Sequence, residues 1–488
     1  MRTNKIFIGG KWVNSSSGKT FESFNPANGR SLGKFPQGNK SDVDNAVRAA
    51  WKAYPGWSQT PAPERAEILF TVRDLLKQNK KELAKCITME MGKVLAESEG
   101  DVQEAIDVFE YMAGEGRRLF GHTTPSELPD KFCMTLRVPV GVFGVITPWN
   151  FPFALPAWKI APALICGNTV VFKPSSDTPL CGIRFVELLV KAGVPAGVVN
   201  LVTGSGKDVG TPIIRHENIR GISFTGSRNT GKFIAENAGL KKVGLELGGK
   251  NGIIVMDDAD LDLAVDGAVW GGFGTTGQRC TAASRVIVHK KVQKDFEKKF
   301  IARIKKLRLG SGLDSKVDVG PLVNESAVEK VQKYVGIGKK EGAGLLCGGK
   351  KLKGLFFEPT VFSDAKKGMT VAQEEIFGPV VTIIPVKNFR EAIDVINSVD
   401  YGLSSSIFTR SIDNAFKAIQ KIEAGITYIN SSTTGAEVHL PFGGVKQTGN
   451  GTREAGMEGI DEFSETKTVY VDYSGRLQKA QDIEWGEK

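Results

Sequence analysis

Apolar positions follow three rhythms along this chain. Near the N-terminus, KIFIGGKWV brackets a Gly-Gly pair and predicts a hairpin, followed by a loop of small and polar residues from Asn14 to Lys19. From Pro63 to Gly92 the apolar residues Ile68, Leu69, Val72, Leu75, Leu76, Leu83 and Ile87 recur at helical spacing, which predicts a long amphipathic helix or a helix pair. A further helix is expected over Asp101 to Ala113. Between Gly141 and Gly249 short apolar, β-branched runs take over: VFGVIT, NTVVFK, VVNLVT, GISFTG and KVGLELG read as strands buried on both faces. Helices are expected between them, at Cys181 to Ala192 and Asp208 to Arg215. Alternation of this kind predicts an α/β fold with a parallel, doubly wound sheet, in which ligands sit at the carboxyl ends of the strands. A second α/β region, from about Asn251 to Asn430, carries the strands SRVIVH, VVTIIPV and SSSIFT and a basic helix from Val292 to Leu307. The last strand-like segment, KTVYVDY, has no partner nearby in sequence and is expected to dock on another domain or subunit.

Composition narrows the picture. A chain of 488 residues is too long for one core, so two or three domains are expected, and 41% hydrophobic with 24% charged residues is an ordinary globular balance. The net charge of +10 is spread over amphipathic stretches such as Phe296 to Leu309 rather than gathered in a basic block, which argues against a nucleic-acid partner. Six scattered cysteines without a CxxC pair point to a reduced, cytoplasmic chain with no disulfide framework and no metal site. The N-terminus has no signal-peptide pattern. Val138 to Phe172 has few charges, but five prolines and Lys159 make it protein interior rather than a membrane span.

Four segments carry chemistry. In FGTTGQRCT, Phe273 to Thr281, a cysteine follows a glycine-rich polar turn, where backbone amides activate a thiol; a lone cysteine is equally read as a small core residue. Glu246 in LELGGKN is either a satisfied structural acid or a base raised by desolvation. Asn150 in TPWNFP is a core amide or a donor to a developing oxyanion. FTGS, Phe224 to Ser227, followed by Gly231, joins a strand, a glycine turn and a helix start, an arrangement that binds phosphate without the usual GxGxxG fingerprint.

These four, with KPSSDTP at Lys173 to Pro179, EEIFGPV at Glu374 to Val380 and PFGGVKQTG at Pro441 to Gly449, resemble the aldehyde dehydrogenase superfamily from about Phe7 to Val471. The resemblance implies two doubly wound α/β domains, a Rossmann-like cofactor domain (1–118 and 140–248) and a catalytic domain (249–448), plus a small β oligomerisation element with a C-terminal tail (119–139 and 449–488). It implies Cys280 as nucleophile, Asn150 as oxyanion donor and Glu246 as the base that activates water. For the cofactor it implies Thr147, Pro148, Trp149, Lys173, Ser176, Gly206, Phe224, Gly226, Ser227, Glu375 and Phe377. NAD-preferring relatives usually carry a glutamate where Ser176 stands, so NADP is favoured here and NAD remains open, with Asp177 next door. A homodimer or homotetramer is expected.

The aldehyde pocket is expected to involve Phe151, Leu155, Trp158, Arg279, Thr281 and Phe442. Arg279 is either structural or a receptor for an anionic tail. The loop Asn430 to Gly444 resembles relatives acting on small semialdehydes or glyceraldehyde; its His439 reads equally as substrate contact or loop packing, and Glu454 matches a further family acid of open role. A CoA-acylating enzyme would lack Glu246, and a non-catalytic relative would have lost Cys280.

Overall fold

Two seven-stranded sheets organise the chain in the computed structural model, which describes residues 4–479. The first runs, in spatial order, Lys242–Glu246, Gly221–Thr225, Val142–Ile146, Thr169–Lys173 and Val199–Leu201, all parallel, and ends in the antiparallel hairpin Ile6–Ile8 and Lys11–Val13. Its middle strands are buried throughout, as continuous apolar runs demand of a sheet covered on both faces. The second sheet orders Gly344–Cys347, Thr360–Ser363, Val380–Val386, Ala283–His289, Asn251–Val255, Ser404–Phe408 and Ile426–Ile429, parallel except for the first pair. Both are doubly wound α/β layers, as the sequence predicted.

The helical stretch after Pro61 is one helix, Ala62–Met91, not a pair. The next begins earlier than expected, at Leu95, and runs to Gly114. Glu97, Ser98, Glu99 and Gly100 disguise its first turn, but tertiary partners hold it: Ser98 shares a 2.8 Å hydroxyl contact with Thr88, and Glu97 pairs with Arg279. Asp208 to Arg215 splits into a wide π-type turn, Gly206–Gly210, and a short helix, Thr211–Arg215. Lys40–Gln59 is a helix that apolar spacing had not shown; its signal was the reciprocal cap of Asn39 and Asp42. Ala154–Ile165 is also helical and wholly buried, with Pro156 in its first turn and Pro162 inside. Phe153, just before that helix, packs with Phe185, whose ring also meets Phe109 and Phe172. Burying each such ring contributes roughly 1.5–3 kcal/mol.

The segment KTVYVDY, up to Asp472, lies in the strand Ser464–Asp472, which pairs antiparallel along its length with Lys131–Pro139. Thr123–Thr124 completes this small sheet. Residues 480–488 of the expected tail lie outside the described residues. No helix among the described residues is long and apolar enough to cross a membrane, and they hold no cluster of His, Cys, Asp and Glu suited to a metal.

Candidate active site

The loop that carries Cys280 is held in a shape that few sequences accept. Thr275 and Thr276 have φ of 51° and 59°, and Gly277 follows at 69°. Left-handed threonines cost on the order of 1–3 kcal/mol each and persist only where surroundings impose them. Here Thr276 Oγ1 donates to the Gly320 carbonyl, while Gln278 Nε2 donates to the Thr275 carbonyl and its Oε1 accepts from the Val323 N–H. The loop thereby sets Cys280 on the wall of a cavity of about 910 Å³. Asn150 reaches it from the end of strand Val142–Ile146. Its Nδ2 donates to the Gln278 carbonyl at 3.1 Å, and the fully buried Lys93 anchors its backbone carbonyl at 2.9 Å. One amide hydrogen of Asn150 is left for a group bound beside Cys280.

LELGGKN explains itself in three dimensions. Glu246 ends its strand, and a β-carbon at Gly249 would stand 2.7 Å from the Cys280 carbonyl oxygen, so only glycine lets the cysteine loop come this close. Asn251 Nδ2 then ties that carbonyl at 2.7 Å. A β-carbon at Gly248 would likewise strike the Glu375 carboxyl.

Burial dominates the electrostatics. It pushes the Cys280 thiol up to about 12, and the Glu246 and Glu375 carboxylates add to the effect. Burial also raises the Glu246 carboxyl well above the usual range; Glu454 raises it further, and Lys159 opposes. Glu454 and Lys159 form a buried ion pair, which places the family acid of open role behind the active site rather than on the surface.

A groove opens at the carboxyl ends of the first sheet. Ser227 caps the ten-residue helix Arg228–Asn237, and the Gly226 N–H donates to the Glu246 carbonyl. Phe224 is buried at the strand end, and Gly206 faces open space. Thr147 donates from its backbone to the Lys173 carbonyl, Pro148 follows, and Trp149 meets Phe377 edge to face at 5.5 Å. A dinucleotide fits these residues. The Lys173 ammonium is buried yet, among the described residues, makes only one hydrogen bond, to the Pro174 carbonyl, and burial lowers it to about 8. Two donors are therefore left for ribose hydroxyls. Glu375 uses Oε1 on the Gly249 N–H, leaving Oε2 for a second ribose. Ser176 donates to the Gly204 carbonyl, and Asp177 accepts from Asn324 and Ser175.

The cavity brings together Phe151, Leu155, Trp158, Arg279, Thr281 and Phe442 around Cys280. Trp158 and Phe442 meet edge to face at 4.8 Å. Arg279 is largely committed: Nη2 pairs with Glu97 at 3.0 Å, Nε donates to Thr275, and the guanidinium lies 4.3 Å from the centre of the Trp270 ring. Only Nη1 makes no hydrogen bond among the described residues. His439 is exposed, 3.5 Å from Glu437, and lies off the cavity wall. Sequence reasoning missed Glu97, Glu104 and Trp270 on that wall. Glu104, raised to about 8 by burial and then by Asp101, sits three residues beyond Asp101 on one helix face, the only signal it offered.

A cysteine on a cavity wall, a buried glutamate whose charge reaches it, and a groove that fits a dinucleotide are the features of a cofactor-dependent oxidoreductase. The chain belongs to the aldehyde dehydrogenase family, whose profile matches residues 12–469, and it oxidises aldehydes with NAD(P)+. It is 42% identical to an alpha-ketoglutaric semialdehyde dehydrogenase of Bacillus subtilis, over 95% of this chain and 97% of that protein. It is also 42% identical to mouse retinaldehyde dehydrogenase 3, over 96% and 93%. Among solved structures, Staphylococcus aureus betaine aldehyde dehydrogenase in complex with NAD+ superposes with a TM-score of 0.96 at 38% identity, covering 99% of this chain and 97% of that one.

Proposed function

We propose that the enzyme is hydrolytic, with Cys280 as nucleophile, Asn150 and the Cys280 N–H as oxyanion donors, and Glu246 as base. The convergence of Glu246 and Cys280, locked by the close approach at Gly249, carries this reading. Cys280 Sγ bonds to the aldehyde carbon while its proton passes to a base, and Asn150 Nδ2 steadies the resulting oxyanion. A bound nicotinamide supplies the hydride acceptor. The thioester then meets a water whose proton goes to Glu246; the C–S bond breaks and the acid leaves. Glu246 is what a CoA-acylating enzyme would not need.

Lys173, Ser176, Gly206, Phe224, Gly226, Ser227, Glu375 and Phe377, with Thr147 to Trp149, are our cofactor residues. NADP is used at least as well as NAD: Ser176 brings no charge against a 2′-phosphate, the spare donors of Lys173 suit one, and Asp177 is engaged elsewhere. One charge-assisted bond of this kind contributes about 1.5–3 kcal/mol, roughly tenfold to a hundredfold. The substrate is a small semialdehyde or hydroxyaldehyde. Equal identity to a semialdehyde and a retinaldehyde enzyme leaves this choice to the cavity, where Arg279 and Glu104 share the wall with Phe151, Trp158, Trp270 and Phe442 and with further charged residues such as Arg303 and Asp318. NAD(P)H formation over a panel of carboxylate-, hydroxyl- and alkyl-tailed aldehydes, with and without CoA, tests the reading; CoA is expected to change nothing. In the same assay Ser176→Glu shifts the ratio of kcat/KM values towards NAD, and an unchanged ratio removes Ser176 from the ribose.

The scattered cysteines, all unpaired, suit a reducing compartment such as the cytoplasm. We also infer a homodimer or a dimer of dimers. Ser464–Asp472 has one edge without a partner strand among the described residues, and Tyr470 and Tyr473 stand about two-thirds exposed beside it. Such an edge favours pairing with another copy. Light scattering at micromolar concentration is expected to give at least twice the chain mass; a monomer contradicts the inference.

A further inference from the structure

Lys93 lies outside the seven motifs and off the wall of the aldehyde cavity, yet it reaches the oxyanion donor from behind. Helix Ala62–Met91 ends in a left-handed Gly92 and the next helix starts at Leu95, so Lys93 sits in the bend between them. Its side chain is wholly buried and pairs at 2.8 Å with Asp101, which is equally buried. The same ammonium donates to the Asn150 carbonyl at 2.9 Å and stands 3.9 Å from the centre of the Phe151 ring. Asp101 uses its other oxygen on the Phe153 and Ala154 N–H groups, at 3.3 and 2.7 Å. Phe153 is the N-cap of helix Ala154–Ile165 and has no side-chain acceptor, so Asp101 supplies the cap from another helix. One ion pair thus ties down the whole turn from Asn150 to Ala154.

The backbone that carries Lys93 is clamped in its turn by the catalytic half of the chain. A β-carbon at Gly320 would stand 2.1 Å from the Gly92 carbonyl oxygen, and one at Gly312 would stand 2.4 Å from that of Lys93. The Leu95 N–H donates to the Gly312 carbonyl at 2.9 Å. Gly320 also anchors the Cys280 loop, since its carbonyl accepts from Thr276 Oγ1, and the neighbouring Pro321 carbonyl accepts from Gln278 Nε2 at 3.4 Å. The Cys280 loop and the Lys93 bend therefore rest on the same two residues. Asn150 comes from the end of the first sheet, Cys280 from the start of a strand of the second, and Asn150 Nδ2 meets the loop through the Gln278 carbonyl. That bond alone would let the amide pivot. Lys93 removes the freedom by holding the Asn150 backbone from a bend seated on the Cys280 anchor.

Resting on the reading of Asn150 as oxyanion donor to the Cys280 adduct, we propose that Lys93, with Asp101, is a positioning residue that fixes the Asn150 amide relative to Cys280. Charge develops on the carbonyl oxygen as sulfur adds, and a donor stabilises it fully only if already in place. A buried ion pair adds little stability over apolar side chains of the same volume, so its value here is geometric. An ammonium suits the task, because its bonds to a carbonyl and a carboxylate are roughly twice as strong as neutral ones. Lys93 touches no reacting atom and acts through Asn150.

The test is a double-mutant cycle. Lys93→Met alone would leave Asp101 buried without its partner, so both charges are removed together in Lys93→Met/Asp101→Asn. Single-turnover hydride formation at saturating aldehyde should slow at least ~10-fold in this variant, while Asn150→Ala in the wild-type background should cost about 100-fold. In the charge-free background the Asn150→Ala penalty should shrink by the same factor that the pair's removal cost, because the amide is already misplaced. KM for NAD(P) and the rate of Cys280 alkylation by iodoacetamide should match wild type. Lys93→Gln/Asp101→Asn, whose amide can still donate to the Asn150 carbonyl, should recover part of the rate, and it carries the cycle if the methionine variant does not fold. A pair that only stabilises the fold would lower the melting temperature and leave the Asn150→Ala penalty at full size; that result overturns the proposal. So does unchanged hydride formation, or alkylation slowed in step with it, which would mean that the thiol had moved. If Asn150→Ala costs nothing in wild type, the oxyanion assignment itself falls, and the proposal with it.

Discussion

Cys280→Ser is expected to lose at least ~1000-fold in kcat/KM while still binding NAD(P), because a hydroxyl is a far weaker nucleophile than a thiol or thiolate near neutral pH. The loop itself should not move. Thr276, Gln278 and Asn251 fix its backbone through Gly320, Val323 and the Cys280 carbonyl, and none of these contacts involves the sulfur. Cofactor titration by fluorescence alongside steady-state rates distinguishes lost chemistry from lost folding; near wild-type turnover would remove Cys280 from the reaction. The same thiol predicts the wild-type pH dependence. Burial, Glu246 and Glu375 raise it to about 12, so the protonated form persists through neutrality. Alkylation of the free enzyme by iodoacetamide should therefore be slow at pH 7 and rise continuously into the alkaline range.

Glu246→Gln separates the two halves of the reaction. Hydride formation should proceed once, giving a burst of about one NAD(P)H per site, after which the thioester accumulates and turnover stalls. Mass spectrometry of the quenched enzyme should find the acyl group on Cys280. Glu246 also contributes to holding the thiol protonated, so removing its charge lowers the thiol pKa. Alkylation in the alkaline range, where Glu246 is ionised in wild type, should then be faster in the glutamine variant, a change opposite in sign to the loss of turnover. Unchanged steady-state turnover would mean that another group activates the water.

The strands were legible because a sheet covered on both faces needs unbroken apolar runs, and VFGVIT, NTVVFK and GISFTG are such runs. The helix Ala62–Met91 was legible for the matching reason: its apolar residues repeat with the helical turn. Helix Ala154–Ile165 was not, since a helix buried on every side has no polar face to mark its period; its prolines spoke only against a membrane span. Cys280 and Glu246 stood out through the small residues around them, whose purpose is local close approach, Asn150 as the lone amide among prolines and aromatics, and the seven motifs together were enough to suggest a family. What those residues do to one another is another matter. Glu454 and Glu462 lie more than 200 residues from Glu246, and only the packing of the segment that follows Gly449 behind the first sheet makes them its neighbours. Arg279 shows the same limit. Its place beside Cys280 was plain in the chain, whereas its charge was already met by Glu97, from a helix 182 residues away. Secondary structure and reactive side chains are local properties that short stretches encode, but charge and protonation depend on desolvation and on partners that only tertiary packing assembles.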